Sequence, residues 1–425
     1  MPAPSAFNRW YIPVAAVAIH VCIGSVYSWS TFNRPMLALL PDAPAWFSPP
    51  YTTFSTALVV LGLGAAGLGP WVERRGPRVA AAAAALFFGA GLALGGLGLA
   101  LHQPVVLFLG MGVTGGIGCG LGYIAPVSTL VKWFPDRRGM ATGMAIMGFG
   151  GGAFLAGLLN PRLMAWCGVA RTLMILGAGY AAVMLAGAAL IRRPPEGWRP
   201  AGWTPPAAAA HLSAASLSRN AALRTPQFYL LWAMLFINVT AGIGILAQAS
   251  PMTQDMFHRT PIEAGGFVSL ISLFNAGGRF GWASLSDYLG RRNTYLAFFL
   301  LQPVLFVIIP GFAGAGRWVP FEAAMVTVFT MYGGGFATIP AFLADLFGTE
   351  NVGAIHGALL TAWSAAAIAG PAVVTELSTR ARAALAPDAS HIHIYDAPLR
   401  VLAGLLVAGL VLTLLVRPLP SSGAT

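Results

Sequence analysis

The chain is a succession of apolar runs separated by short polar connections. A helix needs about 20 apolar residues to cross the hydrocarbon core of a bilayer. Twelve runs meet that length, at 11–33, 52–72, 79–101, 104–131, 139–164, 168–191, 226–250, 262–286, 293–311, 319–345, 352–377 and 398–416. The fold predicted is an all-α membrane protein of twelve transmembrane helices. The first run is too long for a signal peptide and lacks a small-x-small cleavage site, so it reads as a retained span. The longest connection, 192–225, is rich in Pro, Ala, Ser and Arg and carries no apolar stripe. It reads as a flexible linker between a bundle at 1–191 and a second at 226–425.

Composition sharpens this picture. Hydrophobic residues make up 57% of the chain and charged residues 9%, against about 25% charged in a soluble domain. Disordered chains, coiled coils, collagens and disulfide scaffolds are excluded. The net charge of +11 would suit nucleic acid, but the basic residues stand in short clusters between apolar runs. With the N-terminus inside, the inner connections hold fifteen Arg and Lys and the outer ones eight, while Arg279 falls within a span. By the positive-inside rule both termini are cytoplasmic, and the partner is lipid rather than nucleic acid. Cys22, Cys119 and Cys167 have no metal-ligand spacing and read as small buried hydrophobes.

The two halves repeat. Glu73 and Asp287, Gly76 and Gly290, and Arg78 and Arg292 are each 214 residues apart. The same offset relates Gly120 to Gly334, Pro126 to Pro340, Gly139 to Gly353 and Gly143 to Gly357. One offset held across four helices marks a duplicated six-helix unit in parallel repeat.

The segment Gly69, Glu73, Arg74, Arg75, Gly76, Pro77 and Arg78 resembles the loop signature of the major facilitator superfamily, with Glu73 for its Asp and Pro77 for an Arg. The second copy keeps Asp287, Gly290, Arg291 and Arg292, with Tyr288 in a basic position. An acidic residue at a helix end beside Arg on a tight Gly turn can form a charge latch. Glu73, Arg74, Gly76, Arg78, Asp287, Gly290, Arg291 and Arg292 are therefore the candidate cytoplasmic latch. A narrower resemblance rests on GSVYSWSTFNRP (24–35), GGGFATIPAFLADLFGTENVGAIHG (333–357) and Arg279. These are similar to the oxalate/formate antiporter family, with monocarboxylate transporters as more distant relatives. The resemblance implies two six-helix bundles in the major facilitator fold, acting as a monomer in a bacterial inner membrane.

An ionisable residue within a span is costly and marks a functional candidate. Arg279 lies eight residues before Asp287, about 12 Å from the cytoplasmic end at 1.5 Å per residue. Asn275 shares its face one turn earlier. A planar guanidinium fork with a neutral amide beside it suits a carboxylate. No span offers an Asp or Glu at that depth. Tyr27 and Trp29 on span 1, Tyr123 on span 4, Tyr332 on span 10 and Trp363 on span 11 fall near the same level and form the expected aromatic walls. In the oxalate/formate family tyrosines and tryptophans line the site in this way.

That family also places a lysine in span 11 beside the span 8 arginine. Here 351–379 contains no Lys or Arg. One central cation balances one carboxylate, so a monocarboxylate such as formate, lactate or pyruvate is expected ahead of oxalate. A lone buried Arg penalises the empty carrier, which favours exchange by alternating access. His20 is the candidate proton site for the rival reading, a proton-coupled symporter. His356, His391 and His393 are placed near or beyond the membrane ends. A multidrug extruder would want a membrane carboxylate, and a nutrient sensor long cytoplasmic extensions. No nucleophile–base set, metal cluster or cofactor motif marks an enzyme.

Overall fold

The computed structural model describes residues 7–41, 49–204, 216–384 and 391–419. Part of the connection at 205–215 lies outside them. Among the described residues there is no strand. The helices are α1 (Tyr11–Trp29), α2 (Pro49–Arg75), α3 (Pro77–Ala100), α4 (Pro104–Trp133), α5 (138–167), α6 (169–190), α7 (Pro226–Phe257), α8 (Pro261–Leu289), α9 (Arg291–Gly314), α10 (Trp318–Phe347), α11 (Val352–Ala383) and α12 (Asp396–Leu415). Gly168, at φ 79°, separates α5 from α6.

Eleven helices among the described residues are long and apolar enough to span a bilayer. The twelfth, α8, has 29 residues but is too polar, because Asn275 and Arg279 occupy its middle. Its start is well specified. Thr260 caps it, accepting from the Glu263 N–H at 3.3 Å, while Glu263 accepts from the Thr260 N–H at 2.9 Å, with Pro261 in the first turn. Leu86, Leu97, Leu300, Val304, Val307 and Val411 are exposed on the outside of the bundle. A soluble protein does not tolerate so much apolar surface; lipid does. The chain is a multi-pass membrane protein of two six-helix bundles.

The repeat sets the contact between the bundles. Across the divide α8 lies on α5 and α2 lies on α11, and the 214-residue offset converts one pair into the other. Gly143 and Gly357 make these approaches possible. A Cβ on Gly143 would stand 2.6 Å from the Arg279 carbonyl oxygen, and one on Gly357 would stand 2.1 Å from that of Ala65. Ala65 is itself the repeat mate of Arg279. The scaffold is thus pseudo-symmetric where the central charge is not.

Candidate functional site

Arg279 is fully buried. Its Nε donates to Asn275 Oδ1 at 3.1 Å, and Asn275 Nδ2 donates weakly to the Phe329 carbonyl at 3.4 Å. Neither terminal nitrogen of Arg279 has a hydrogen-bond partner. The guanidinium carbon stands 5.1 Å from the ring centre of Phe336 and 5.5 Å from that of Phe149. Such cation–π contacts supply about 1 kcal/mol each. Withdrawing an unpaired charge from water costs several kcal/mol, so the rings do not offset it. The charge of the guanidinium is left without a balancing group at its two terminal nitrogens.

The predicted aromatic residues gather around this charge. The rings of Tyr27, Tyr123, Phe149 and Phe336 all meet that of Trp363, at centroid distances of 6.0, 5.5, 5.5 and 4.8 Å. Tyr27, Tyr123 and Tyr332 lie within electrostatic reach of Arg279. None of their hydroxyls makes a well-formed hydrogen bond, and neither does the Trp363 indole N–H. Unpaired hydroxyls and an indole N–H are therefore held near a cation whose two terminal nitrogens are also unpaired.

A cleft of about 450 Å³ approaches this cluster. Tyr27, Trp29, Asn275 and Tyr332 line it, together with Phe54 and Ser272. One helical turn deeper on the same helices stand Trp363, Phe149, Phe336 and Arg279. The cleft lies toward the helix ends opposite the 2–3 and 8–9 connections. Trp29 is buried against Phe32, with centroids 5.6 Å apart, on the wall of the cleft rather than beside Arg279.

His20 is buried, its ring 5.4 Å from that of Tyr123. His356, the fifth residue of α11, is fully buried, with its ring 5.7 Å from that of Tyr123. The sequence reading did not place α11 against α4. Phe149 and Phe336 were also missed, because a phenylalanine in an apolar span carries no signal of its own.

On the side of the 2–3 and 8–9 connections the bundles are tied together. Glu73 accepts from Lys132 Nζ at 2.7 Å and from the Gly353 N–H, in the first turn of α11, at 2.9 Å. Lys132 Nζ also donates to the Glu350 carbonyl at 2.9 Å. Asp287 accepts from the N–H groups of Gly139 and Met140, in the first turn of α5, at 2.9 and 2.8 Å, and pairs with Arg291 at 2.6 Å. Asp345 pairs with Arg138 at 2.6 Å and Arg291 at 3.1 Å. Each acidic member of the repeated motif thus caps a helix of the opposite bundle, where backbone N–H groups and the helix dipole favour negative charge.

The other motif residues stay within their own half. Arg74 Nε donates to the Pro70 carbonyl at 3.3 Å. Arg78 donates to the Ala189 carbonyl at 2.8 Å, and its mate Arg292 to those of Thr413 and Leu414 at 3.1 and 2.8 Å. They pin the loops to the last turns of α6 and α12. Gly76 and Gly290 have φ of 91° and 83°, left-handed values that glycine adopts without strain, and each turns the chain into the next helix. Lys132, Arg138 and Asp345 were not singled out from the sequence. Their signal was their place at helix ends on the loop-bearing side.

The Major Facilitator Superfamily model matches residues 14–371. The oxalate:formate antiporter of Oxalobacter formigenes is 28% identical over 376 residues, 88% of this chain and 85% of that one. Apicoplast pyruvate carrier 1 of Toxoplasma gondii is 25% identical, over 80% of this chain and 78% of that one. Among solved structures, the human organic anion transporter MFSD10 shares the fold with a TM-score of 0.66 at 18% identity, covering 96% of this chain and 100% of that one. The chain belongs to the Major Facilitator Superfamily of transporters and resembles its oxalate/formate antiporters.

Proposed function

We propose that the protein carries small organic monoanions, such as formate, lactate or pyruvate, across a bacterial inner membrane by alternating access, with exchange as its favoured mode. The observation that carries this reading is Arg279, a buried guanidinium whose two terminal nitrogens have no partner. An anion entering the cleft meets the Asn275 amide, then the Tyr27 and Tyr332 hydroxyls, and finally the open fork of Arg279. One charge-assisted, two-pronged contact satisfies a carboxylate. The absence of Lys and Arg from 351–379 favours a monoanion, because a dianion would bring an unbalanced charge into the same apolar walls. The relatives that carry oxalate and formate, or pyruvate, support the substrate class.

The halves 1–191 and 226–425 act as the two moving bodies, with both termini cytoplasmic and 192–225 as the linker. In this orientation the ties around Glu73 and Asp287 close the cytoplasmic side, and the cleft faces outward. Bound anion neutralises Arg279 and lowers the barrier to switching, while the empty carrier holds an uncompensated charge and switches poorly. Counterflow in proteoliposomes tests this reading. Internal unlabelled formate or lactate is expected to accelerate uptake of the labelled acid, and oxalate to exchange at least about tenfold more slowly, the cost of roughly 1.4 kcal/mol for an unmatched charge. Oxalate exchange as fast as that of the monoanions would sink the one-cation argument.

A further inference from the structure

On the outside of the second bundle α9 and α12 pack side by side. Near the loop-bearing side the contact is tight: a Cβ on Gly409 would stand 2.4 Å from the Phe299 ring. Toward the opposite side space opens between them. Proline at 303 and at 310 removes two N–H groups from the ladder of α9. A Cβ on Gly311 of α9 or on Gly404 of α12 would meet nothing within 4 Å. Here lies a groove of about 430 Å³, walled by Pro303, Val304, Val307 and Ile308 of α9 and by Gly404 and Val407 of α12. The charged residue among its walls is Arg400.

The outer end of the groove carries two opposite charges in a fixed order. Asp396 is the first residue of α12, and Arg400 lies one turn further along the same face, about 6 Å deeper in the membrane. The Arg400 side chain is 72% exposed and stands 3.7 Å from Asp396 Oδ2, too far for a hydrogen bond. Asp396 Oδ2 accepts instead from His393 Nδ1 at 3.1 Å, and Asp396 Oδ1 is buried without a partner. A guanidinium fork and a carboxylate oxygen are thus left over, the cation deeper and the anion nearer the membrane surface. One charge of each sign favours a zwitterion over a net anion.

We infer that the groove holds one phospholipid with an ethanolamine headgroup, its phosphate on Arg400, its ammonium at Asp396 and one acyl chain between α9 and α12. In such a lipid the phosphate joins the glycerol and the amine lies beyond it, toward water. The headgroup therefore presents its charges in the order in which the protein receives them. A guanidinium fork matches a phosphate in two prongs. A primary ammonium brings three N–H donors to the free carboxylate oxygen, whereas a trimethylated choline brings none. The chain supplies fit rather than drive, because the surrounding lipid tails are as apolar as the groove. Selectivity therefore falls to the headgroup. None of these residues belongs to the cluster around Arg279, so the inference stands apart from the proposed transport.

The test is native mass spectrometry of the detergent-purified protein, titrated with phospholipids of matched acyl chains. Wild type is expected to take up one phosphatidylethanolamine first, with phosphatidylcholine and phosphatidylglycerol each about fivefold weaker, the weight of one exposed ion pair. Arg400→Gln should weaken that first site about tenfold, the loss of a charge-assisted contact. Asp396→Asn should bring the ethanolamine lipid down to the level of the choline lipid. Gly404→Leu points its side chain into open space and fills the groove. It should weaken all three lipids, with a melting temperature in detergent equal to that of wild type. Ethanolamine-lipid binding that is the same in wild type, Arg400→Gln and Gly404→Leu would overturn the site. Phosphatidylglycerol binding tightest would overturn the paired-charge assignment and mark a plain basic patch. A dimer in wild type that Gly404→Leu abolishes would show a second copy of the chain on the groove, and would overturn the proposal as well.

Discussion

At the scale of single residues, the site is defined by polar groups that lack partners. Arg279 was legible in the sequence because a charge in the middle of a span cannot be neutral to stability, and Asn275 because helical spacing puts it one turn away. The tyrosines were legible only as a group at similar depth. Their hydroxyls gain meaning from geometry, since they gather near a cation yet neither they nor its terminal nitrogens have a hydrogen-bond partner. Tyr332→Phe removes one donor without changing volume or the ring contacts with Phe329 and Phe336. It is expected to weaken monoanion binding by about fivefold to tenfold, the effect of one hydrogen bond worth roughly 1–1.5 kcal/mol, with unchanged thermal stability of the empty protein. An equal loss of stability without loss of affinity would make Tyr332 a packing residue.

At the scale of helices, the repeat explains both what could be read and what could not. The 214-residue offset marked Glu73, Asp287, Gly139 and Gly353 as equivalent pairs, but a sequence offset does not say which partner each acidic residue meets. The structure places Glu73 on the first turn of α11 and Asp287 on the first turn of α5, so equivalent residues cap equivalent helices across the divide. Two arginines of the same motif do not share in this. Arg74 and Arg78 bind carbonyls of their own half, and Lys132 supplies the charge instead. Loss of a cap and its dipole interaction costs about 1–2 kcal/mol. Glu73→Gln and Asp287→Asn should each shift the balance between the two access states about fivefold to thirtyfold away from the latched one. Reactivity of a single cysteine introduced at Met140 would read the shift as faster labelling from the loop-bearing side. Unchanged labelling in both variants would show that the caps do not hold that side closed.

At the scale of the whole molecule, two similar bundles form a nearly symmetric frame around one asymmetric charge. Twelve spans were visible in the sequence by length. The least apolar of them, α8, carries Arg279, so the weakest membrane helix is the one that holds the buried charge. The arrangement of α1, α4 and α11 that brings His20 and His356 to Tyr123 was not legible, because it depends on packing between spans far apart in the chain. The central claim is that Arg279 is held for a ligand rather than for the fold, and thermal unfolding with and without a monoanion tests it most directly. Removing an unpaired buried charge relieves the folded protein, whereas removing a structural partner leaves a void and broken bonds. The account predicts that empty Arg279→Gln melts at or above the temperature of empty wild type, and that formate or lactate raises the melting temperature of wild type alone. A variant that melts well below wild type, yet is stabilised by the anion to the same extent, would contradict it.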